Sequence, residues 1–223
     1  MREDRAGPDR PTGGAIYTCA NDGCNLRFPV APGDRFHHRC PRCGAPATLS
    51  TLVAARPAPD PPSGRPPLLP LHLLLDNWRS LFNVGALFRT ADGAGVAMLH
   101  LCGITPTPDH RKLSKTALGA ESTVPWRYAP NAVAQAAALR NQGMQLWVLE
   151  AESRAESLFD CSLPPAGPPV VLAAGNEIVG VDPGLAAMAD RLVYLPMQGA
   201  KRSLNVAVAL SVAVYWLRGQ ARP

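Results

Sequence analysis

The 223-residue sequence contains no apolar run of the roughly 18–20 residues that a transmembrane helix requires. Its longest apolar candidate, at residues 204–217, is too short and follows a polar loop. The first fourteen residues also lack the apolar segment of a secretory signal peptide. We therefore expect a cytoplasmic protein with no membrane partner.

Charge is also scarce, because Asp, Glu, Lys and Arg make up only 17% of the chain. The hydrophobic content of 47% is typical of a soluble globular protein and excludes a largely disordered one. A formal net charge of +5 suits a polyanionic partner such as RNA, but many proteins with this charge bind no nucleic acid. Composition alone therefore leaves the partner open.

Composition divides the chain into four segments. Residues 1–14 are polar and rich in Gly and Pro, which predicts a disordered start. Residues 15–53 hold four of the six cysteines, and residues 54–70 contain seven prolines, which predicts an extended, semi-rigid linker. Residues 71–223 form the remaining and largest segment, in which short apolar runs alternate with helical patterns.

The cysteines of residues 15–53 form two close pairs. Cys19 and Cys24 make the first pair, Cys40 and Cys43 make the second, and fifteen residues separate the pairs. In a reducing cytoplasm this spacing indicates a metal before a disulfide, and four thiolates suit a structural, tetrahedral Zn²⁺. The spacing resembles that of a zinc ribbon.

Several alternatives remain open for this small module. His37 and His38 lie just before Cys40 and are alternative zinc ligands. Four free thiols are the other alternative to zinc, although so small a module would then lack a metal or a disulfide to stabilise its fold. Four arginines surround the cysteines, and they either contact phosphates or form a solvated basic face: Arg27, Arg35, Arg39 and Arg42. The isolated Cys102 and Cys161 are predicted to be ordinary thiols.

Five apolar runs bounded by turn formers predict buried strands in the larger segment. They lie at residues 71–75, 96–101, 144–150, 170–174 and 191–196. Helical patterns follow four potential capping residues, Asn83, Asn131, Asp182 and Ser203. Strands that alternate with helices predict an α/β domain with a largely parallel sheet, and functional groups gather at the C-terminal ends of such strands.

Three motifs lie at these strand-to-helix junctions. Residues 83–90 read N-x-G-x-x-x-R-T, residues 175–180 read G-N-E-x-x-G, and residues 196–206 read P-M-x-G-x-x-x-S-L-N-V. In this order the motifs resemble those of the SpoU (TrmH) family of RNA ribose 2′-O-methyltransferases. The segment KTALGAE at residues 115–121, followed by Val-Pro-Trp, is similar to the stretch between the first two motifs in many members.

The resemblance implies the SPOUT fold, a mostly parallel sheet with a trefoil knot and flanking helices, preceded here by the zinc-ribbon-like module. It implies that the knotted loops bind S-adenosylmethionine and that a homodimer forms through the knot region. The cofactor-binding residues that it implies are Leu149, Gly175, Leu195, Met197, Ser203 and Leu204.

The resemblance also implies that Arg89 activates the ribose 2′-hydroxyl. It places Asn83, Glu177, Ser203 and Asn205 around the reacting groups as further catalytic residues. An arginine with a pKa above about 12 rarely gives up its proton, so we expect Arg89 to be essential without being the literal base. A helix cap or a buried hydrogen-bond partner is the alternative role for Asn83 and for Arg89.

The predicted function is S-adenosylmethionine-dependent methylation of a ribose 2′-hydroxyl in tRNA or rRNA, with the zinc module contributing to RNA recognition. Two alternatives remain. One is a methyltransferase of the same fold that acts on a base, and the other is a non-catalytic, zinc-containing RNA-binding protein.

Overall fold

A computed structural model describes residues 13–54, 70–161 and 167–220. These residues fall into two compact units, which lie within residues 1–64 and 65–223. The predicted disordered start at residues 1–14 and the predicted linker at residues 54–70 fall almost entirely outside the described ranges.

The first unit is built on a three-stranded antiparallel sheet. Its strands are β1 (Gly14–Cys19), β2 (Arg27–Val30) and β3 (Ala47–Val53), and β1 lies in the centre. The first cysteine pair therefore lies at the end of β1 and in the turn after it. The second pair precedes β3, in a turn that the Gly44 N–H closes on the Cys40 carbonyl at 2.9 Å.

The second unit contains a seven-stranded sheet, and every pair of neighbouring strands in it is parallel. The strand order is β6-β5-β4-β9-β7-β10-β8. The strands are β4 (Leu71–Asp76), β5 (Met98–Cys102), β6 (Trp126–Ala129), β7 (Gln145–Leu149), β8 (Glu156–Ser157), β9 (Val170–Ala174) and β10 (Arg191–Tyr194).

Helices cover both faces of this sheet. They are α1 (Leu81–Gly93), α2 (Ser114–Ala117), α3 (Ala132–Asn141), α4 (Pro183–Met188) and α5 (Val206–Gln220). Side chains of α1, α2 and α5 pack on one face, whereas α3 and α4 pack on the other. Double coverage explains why β4 is apolar without alternation: Leu73 and Leu75 face the first core and Leu74 the second.

A histidine pair, with His100 buried and His72 half-buried, interrupts the second face. His72 Nδ1 lies 3.1 Å from His100 Nε2, and Gln135 Nε2 on α3 lies 3.1 Å from His100 Nδ1. Burial lowers the pKa of His100 to about 4. Burial also lowers the pKa of His72, so both imidazoles are mainly neutral at pH 7 and hydrogen-bond to one another.

The mostly parallel sheet with flanking helices is confirmed, but two predicted caps are wrong. Ser80, rather than Asn83, caps α1, because its side chain accepts a bond from the Asn83 N–H at 3.3 Å. Asn205, rather than Ser203, caps α5 by accepting from the N–H groups of Ala207 and Val208 at 2.9 and 3.3 Å. The cap of α1 lies three residues before the predicted one, and the cap of α5 lies two residues after it.

The strands β6 and β8 and the helix α2 were not predicted. The strand β6 carries the sequence Trp-Arg-Tyr-Ala at the edge of the sheet and is half exposed, so it lacks an apolar run. The strand β8 has only two residues, and α2 only four. In the described parts of the chain, no helix has the length and apolar character needed to cross a membrane.

Candidate functional site

A cavity of about 470 Å³ opens where β7, β9 and β10 end. Its walls are the segment after β7, the segment after β9 and the long loop between β10 and α5. This volume lies within the range of small-molecule sites, and the C-terminal edge of a parallel sheet is where such sites form. The lining includes all six residues predicted to bind the cofactor: Leu149, Gly175, Leu195, Met197, Ser203 and Leu204.

The loop after β9 is a closed turn. The backbone groups of Asn176 and Gly180 exchange two hydrogen bonds, of 2.9 and 3.0 Å. The Asn176 side-chain oxygen accepts from the N–H groups of Ile178 and Val179 inside the turn, at 2.9 and 3.2 Å. Gly180 has a φ of +77°, which favours glycine. Its backbone also lies so close to Gly175 that a Cβ atom added to Gly175 would overlap the backbone of Gly180.

Glu150 holds this turn against the end of β7. Its Oε2 accepts from the Val181 N–H at 3.0 Å, and its Oε1 accepts from the Ala151 N–H at 2.9 Å. Glu150 lines the cavity, yet it was not among the predicted site residues. The sequence feature that could have identified Glu150 as a site residue is its position directly after a buried strand.

Asp76, a second residue that the sequence reasoning missed, supports the same segment from β4. Its carboxylate is buried and accepts from the Asp182 N–H at 3.2 Å and from the Asn77 side-chain amide at 2.8 Å. Burial raises the pKa of Asp76 above its usual value, although these two donors act in the opposite direction. Asp76 therefore positions the loop from outside the cavity.

Glu177 joins the second motif to the first. Its carboxylate accepts from the N–H groups of Arg79 and Ser80, at 3.0 and 3.1 Å, and from the Asn83 side-chain amide at 3.1 Å. Partial burial by itself would raise the pKa of the Glu177 carboxyl. The hydrogen-bond donors outweigh it and lower this pKa below its usual range. Glu177 is therefore ionised at neutral pH and a weak base.

Asn83 extends the connection to the third motif. Its side-chain oxygen accepts from the Asn205 side-chain amide at 3.1 Å, while its nitrogen donates to Glu177. The structure thus brings together three of the predicted catalytic residues, each from a different motif. Glu177 and Asn205 also line the cavity. The predicted Ser203 lies on its wall and is exposed.

Arg89 lies apart from this network. It is exposed on α1 and is not among the residues that line the cavity. Within the described residues its guanidinium makes no ion pair or hydrogen bond. Its donors are therefore available to a ligand outside the cavity.

The four cysteines of the small module form one cluster, with all four Sγ atoms within 4.8 Å of one another. The Cys19–Cys43 sulfur distance is 3.5 Å and the Cys24–Cys40 distance is 3.8 Å. Zinc–sulfur bonds of about 2.3 Å would give tetrahedron edges of about 3.8 Å, so the donor set fits Zn²⁺. Within the described residues, neither His37 nor His38 belongs to the cluster.

Comparison with known proteins identifies the family to which the larger unit belongs. The SpoU rRNA Methylase family model matches residues 70–215. A 23S rRNA (guanosine-2′-O-)-methyltransferase RlmB from Neisseria meningitidis is 33% identical over 152 residues, which are 68% of this chain and 59% of the relative. The 23S rRNA (guanosine(2553)-2′-O)-methyltransferase RlmP from Bacillus subtilis is 32% identical over 149 residues, which are 66% and 57%. The chain spans less than two thirds of the length of these curated relatives.

Two solved structures share the fold. The AdoMet-bound rRNA methyltransferase from Sinorhizobium meliloti aligns with a TM-score of 0.64 and 26% identity, over 77% of this chain and 64% of that one. The TrmH/SpoU tRNA modifying enzyme from A. aeolicus aligns with a TM-score of 0.60 and 27% identity, over 67% and 74%. The family model begins at residue 70 and so does not include the small unit.

The close approach at Gly175 generates a test of the cavity. We predict that Gly175→Ala reduces affinity for S-adenosylmethionine by about tenfold or more, because the added methyl group pushes the Asn176–Gly180 turn out of place. Titration calorimetry measures this affinity. The matched control is Gly199→Ala in the neighbouring loop, where a Cβ atom meets nothing within 4 Å and binding stays unchanged. Equal affinity in the two variants would contradict the assignment.

Proposed function

Because the chain belongs to the SpoU rRNA methylase family, we propose that it methylates a ribose 2′-hydroxyl of RNA, with S-adenosylmethionine as the methyl donor. The observation that carries the proposal is the convergence of Glu177, Asn83 and Asn205 beside a cavity of cofactor size. The curated relatives are named for 23S rRNA, so rRNA is the first substrate to test and tRNA is the second.

In this proposal the loops after β7, β9 and β10 hold the cofactor, largely through backbone groups around Leu149, Gly175 and Leu195. Bound there, S-adenosylmethionine supplies an electrophilic methyl group. Glu177 and Asn83 hold the start of α1 against the cavity, and Asn205 fixes the start of α5. The trefoil knot of these loops stays a prediction of the family resemblance.

In this proposal Arg89 binds the RNA substrate and not the cofactor. Its exposed guanidinium anchors a phosphate and orients the ribose hydroxyl toward the cavity. The location that we propose is the cytoplasm, in keeping with an RNA substrate.

The first experiment separates this proposal from its alternatives. Purified protein is incubated with labelled S-adenosylmethionine and with unmodified rRNA or tRNA, and the RNA is then digested to nucleosides. We expect a 2′-O-methylnucleoside from the wild type and a loss of about 100-fold or more with Arg89→Ala, since the anchor of the reacting nucleotide is gone. Arg127→Ala, which removes another exposed arginine at the sheet edge, keeps the activity.

Each other outcome of this experiment identifies an alternative. A base-methylated nucleoside would show a methyltransferase of the same fold that acts on bases. No transfer, together with no calorimetric binding of S-adenosylmethionine, would leave a non-catalytic RNA-binding protein. Equal activity of Arg89→Ala and Arg127→Ala would remove Arg89 from the mechanism.

We further propose that the four cysteines hold one structural Zn²⁺. The sulfur distances support this, and so do the N–H groups of Asn21 and Arg42, which donate to Cys19 Sγ and Cys40 Sγ at 3.4 Å. With four protein ligands no coordination position is left for catalysis.

We predict about one zinc per chain in the wild type and a loss of zinc in Cys40→Ser, because a neutral hydroxyl is a poor replacement for a thiolate. Elemental analysis by mass spectrometry measures the metal. Cys161→Ser is the control, since Cys161 lies in the other unit, where its thiol donates to the Ser157 carbonyl. A wild type purified without zinc that also fails to take it up would refute the site.

The proposed assembly is a homodimer through the face that α1 and α5 present. Phe82 on α1 is 75% exposed, and Val208, Val212 and Tyr215 on α5 are 51%, 39% and 55% exposed. Apolar side chains concentrated on neighbouring helices are typical of protein interfaces. The face adjoins the loop that lines the cavity, as the family resemblance implies for a dimer through the knot region.

We predict that Tyr215→Glu shifts the protein from dimer to monomer, because it buries a charge at the interface. Light scattering after gel filtration measures the molar mass. Tyr128→Glu, at a tyrosine that is 53% exposed on β6, is the matched control and leaves the dimer intact. A wild type that is monomeric at all concentrations tested would exclude the dimer.

A further inference from the structure

The small unit carries a group of aromatic rings on one face of its sheet. Tyr17 and Phe28 are cross-strand neighbours in β1 and β2, with nearly parallel rings whose centroids are 6.3 Å apart. The Phe36 ring lies 4.4 Å from Tyr17 and 5.7 Å from Phe28, and the His38 ring lies 5.1 Å from Phe36. We call these four rings the aromatic face.

The aromatic face is open. Its rings are only partly buried, and His38 is exposed. Leu49 of β3 pairs with Tyr17, and Leu52 pairs with Ala15 beyond an irregularity in the ladder. Because residues opposite one another in a ladder share a side, both leucines lie on the side of Tyr17, and they are 52% and 76% exposed. Among residues 13–54 no helix covers this side of the sheet. A set of rings that served only as a core would be closed off from solvent.

Positive charge borders the rings. The described part of the unit contains four arginines and two aspartates. A shallow cavity of about 340 Å³ is lined by Phe28 and Phe36 together with Arg35 and Arg39. The Arg39 guanidinium is held in place by a 2.9 Å bond to the Gly44 carbonyl, and within the described residues no arginine of this unit forms an ion pair.

This combination matches the chemistry of unpaired nucleotides. Proteins bind single-stranded nucleic acid by stacking bases on aromatic rings while neighbouring cations contact the phosphates. In a duplex the bases are stacked on one another, and their faces are unavailable to the rings. A purely basic surface would bind both forms, so the rings are the feature that discriminates.

We propose that the aromatic face binds an unpaired segment of the RNA substrate, with bases stacked on Phe28 and Phe36 and phosphates held by Arg35 and Arg39. This inference rests on the proposed function for the identity of the nucleic acid. It assigns to the small unit the selection of single-stranded over double-stranded RNA.

The test compares the binding of a fluorescein-labelled, mixed-sequence single-stranded RNA of twelve nucleotides with that of the same sequence as a duplex, using the full chain. The double variant Phe28→Leu, Phe36→Leu keeps apolar volume but removes the stacking rings. We expect its Kd for the single strand to rise about tenfold or more, and its Kd for the duplex to stay within about twofold.

The arginines give a second, independent readout. We expect Arg35→Gln, Arg39→Gln to weaken single-strand binding and to lower the magnitude of the slope of log K against log salt by about 1.4, because two phosphate contacts are lost. Arg27→Gln is the matched control within the same unit. Arg27 alternates with Phe28 along β2, so it lies on the opposite side of the sheet, and its replacement leaves the affinity within about twofold.

Two measurements keep the outcome decisive. Zinc content shows whether the leucine variant retains its fold, and ultraviolet crosslinking of the wild type to the single strand locates the contact without any substitution. Crosslinks within residues 17–39 support the proposal. Crosslinks confined to the larger unit, or a folded leucine variant that binds like the wild type, overturn it and leave the face to a protein partner.

The failure of this inference is distinguishable from a failure of the proposed function. If the wild type produces a 2′-O-methylnucleoside and the leucine variant binds RNA normally, only the role of the aromatic face is lost. If the wild type transfers no methyl group and binds no S-adenosylmethionine, the proposed function fails, and the binding comparison still decides what the aromatic face does.

Discussion

The arrangement of the site depends on the hydrogen bonds of the Glu177 carboxylate. It accepts from two backbone N–H groups at the start of α1 and from the Asn83 amide, whose oxygen in turn binds Asn205 before α5. Hydrogen bonds to a charged group contribute about 1.5–3 kcal/mol each, roughly twice the contribution of neutral ones. One carboxylate therefore fixes the relative positions of two helix starts and one loop.

Two other carboxylates hold the loop after β9 in position in the same way. Glu150 accepts from the Val181 N–H, and Asp76 accepts from the Asp182 N–H. An irregular loop at the edge of a sheet has backbone groups without partners in the ladder, and each must be satisfied. Supplying acceptors from the ends of β7 and β4 satisfies these groups and holds the cavity wall in one conformation.

Sequence patterns predicted the parts of this structure that depend on local composition. The strands β4, β7 and β9 are covered on both faces, so their residues form continuous apolar runs that can be recognised directly. The strand β6 lies at the edge and is half exposed, so the same criterion missed it. Near the predicted caps, Ser80 and Asn205 are equally good capping residues, and local sequence does not choose between neighbours.

The site contacts could not be predicted in this way, because they join distant residues. Glu177 and Asn83 are 94 positions apart, and Asn205 and Asn83 are 122 apart. By its position Asn83 was a plausible helix cap. In the structure its side-chain amide instead hydrogen-bonds to Glu177 and Asn205, which belong to the other two motifs. Only the family resemblance indicated that these residues meet, and it did not identify Glu150 or Asp76, which act through backbone donors.

The same hydrogen bonds constrain the chemistry of the proposed methyl transfer. Among the described residues that line the cavity, the ionisable ones are Glu150, Glu177, Tyr194 and Arg202. Both glutamates already accept from backbone N–H groups, and the donors around Glu177 lower its pKa, so taking up a proton would cost it those interactions. These interactions disfavour Glu150 and Glu177 as the base for the ribose hydroxyl in the proposed reaction. In the proposed reaction the protein therefore contributes mainly orientation and charge. We propose that Arg89, which is exposed and has no hydrogen bond or ion pair within the described residues, supplies the positive charge that binds an RNA phosphate.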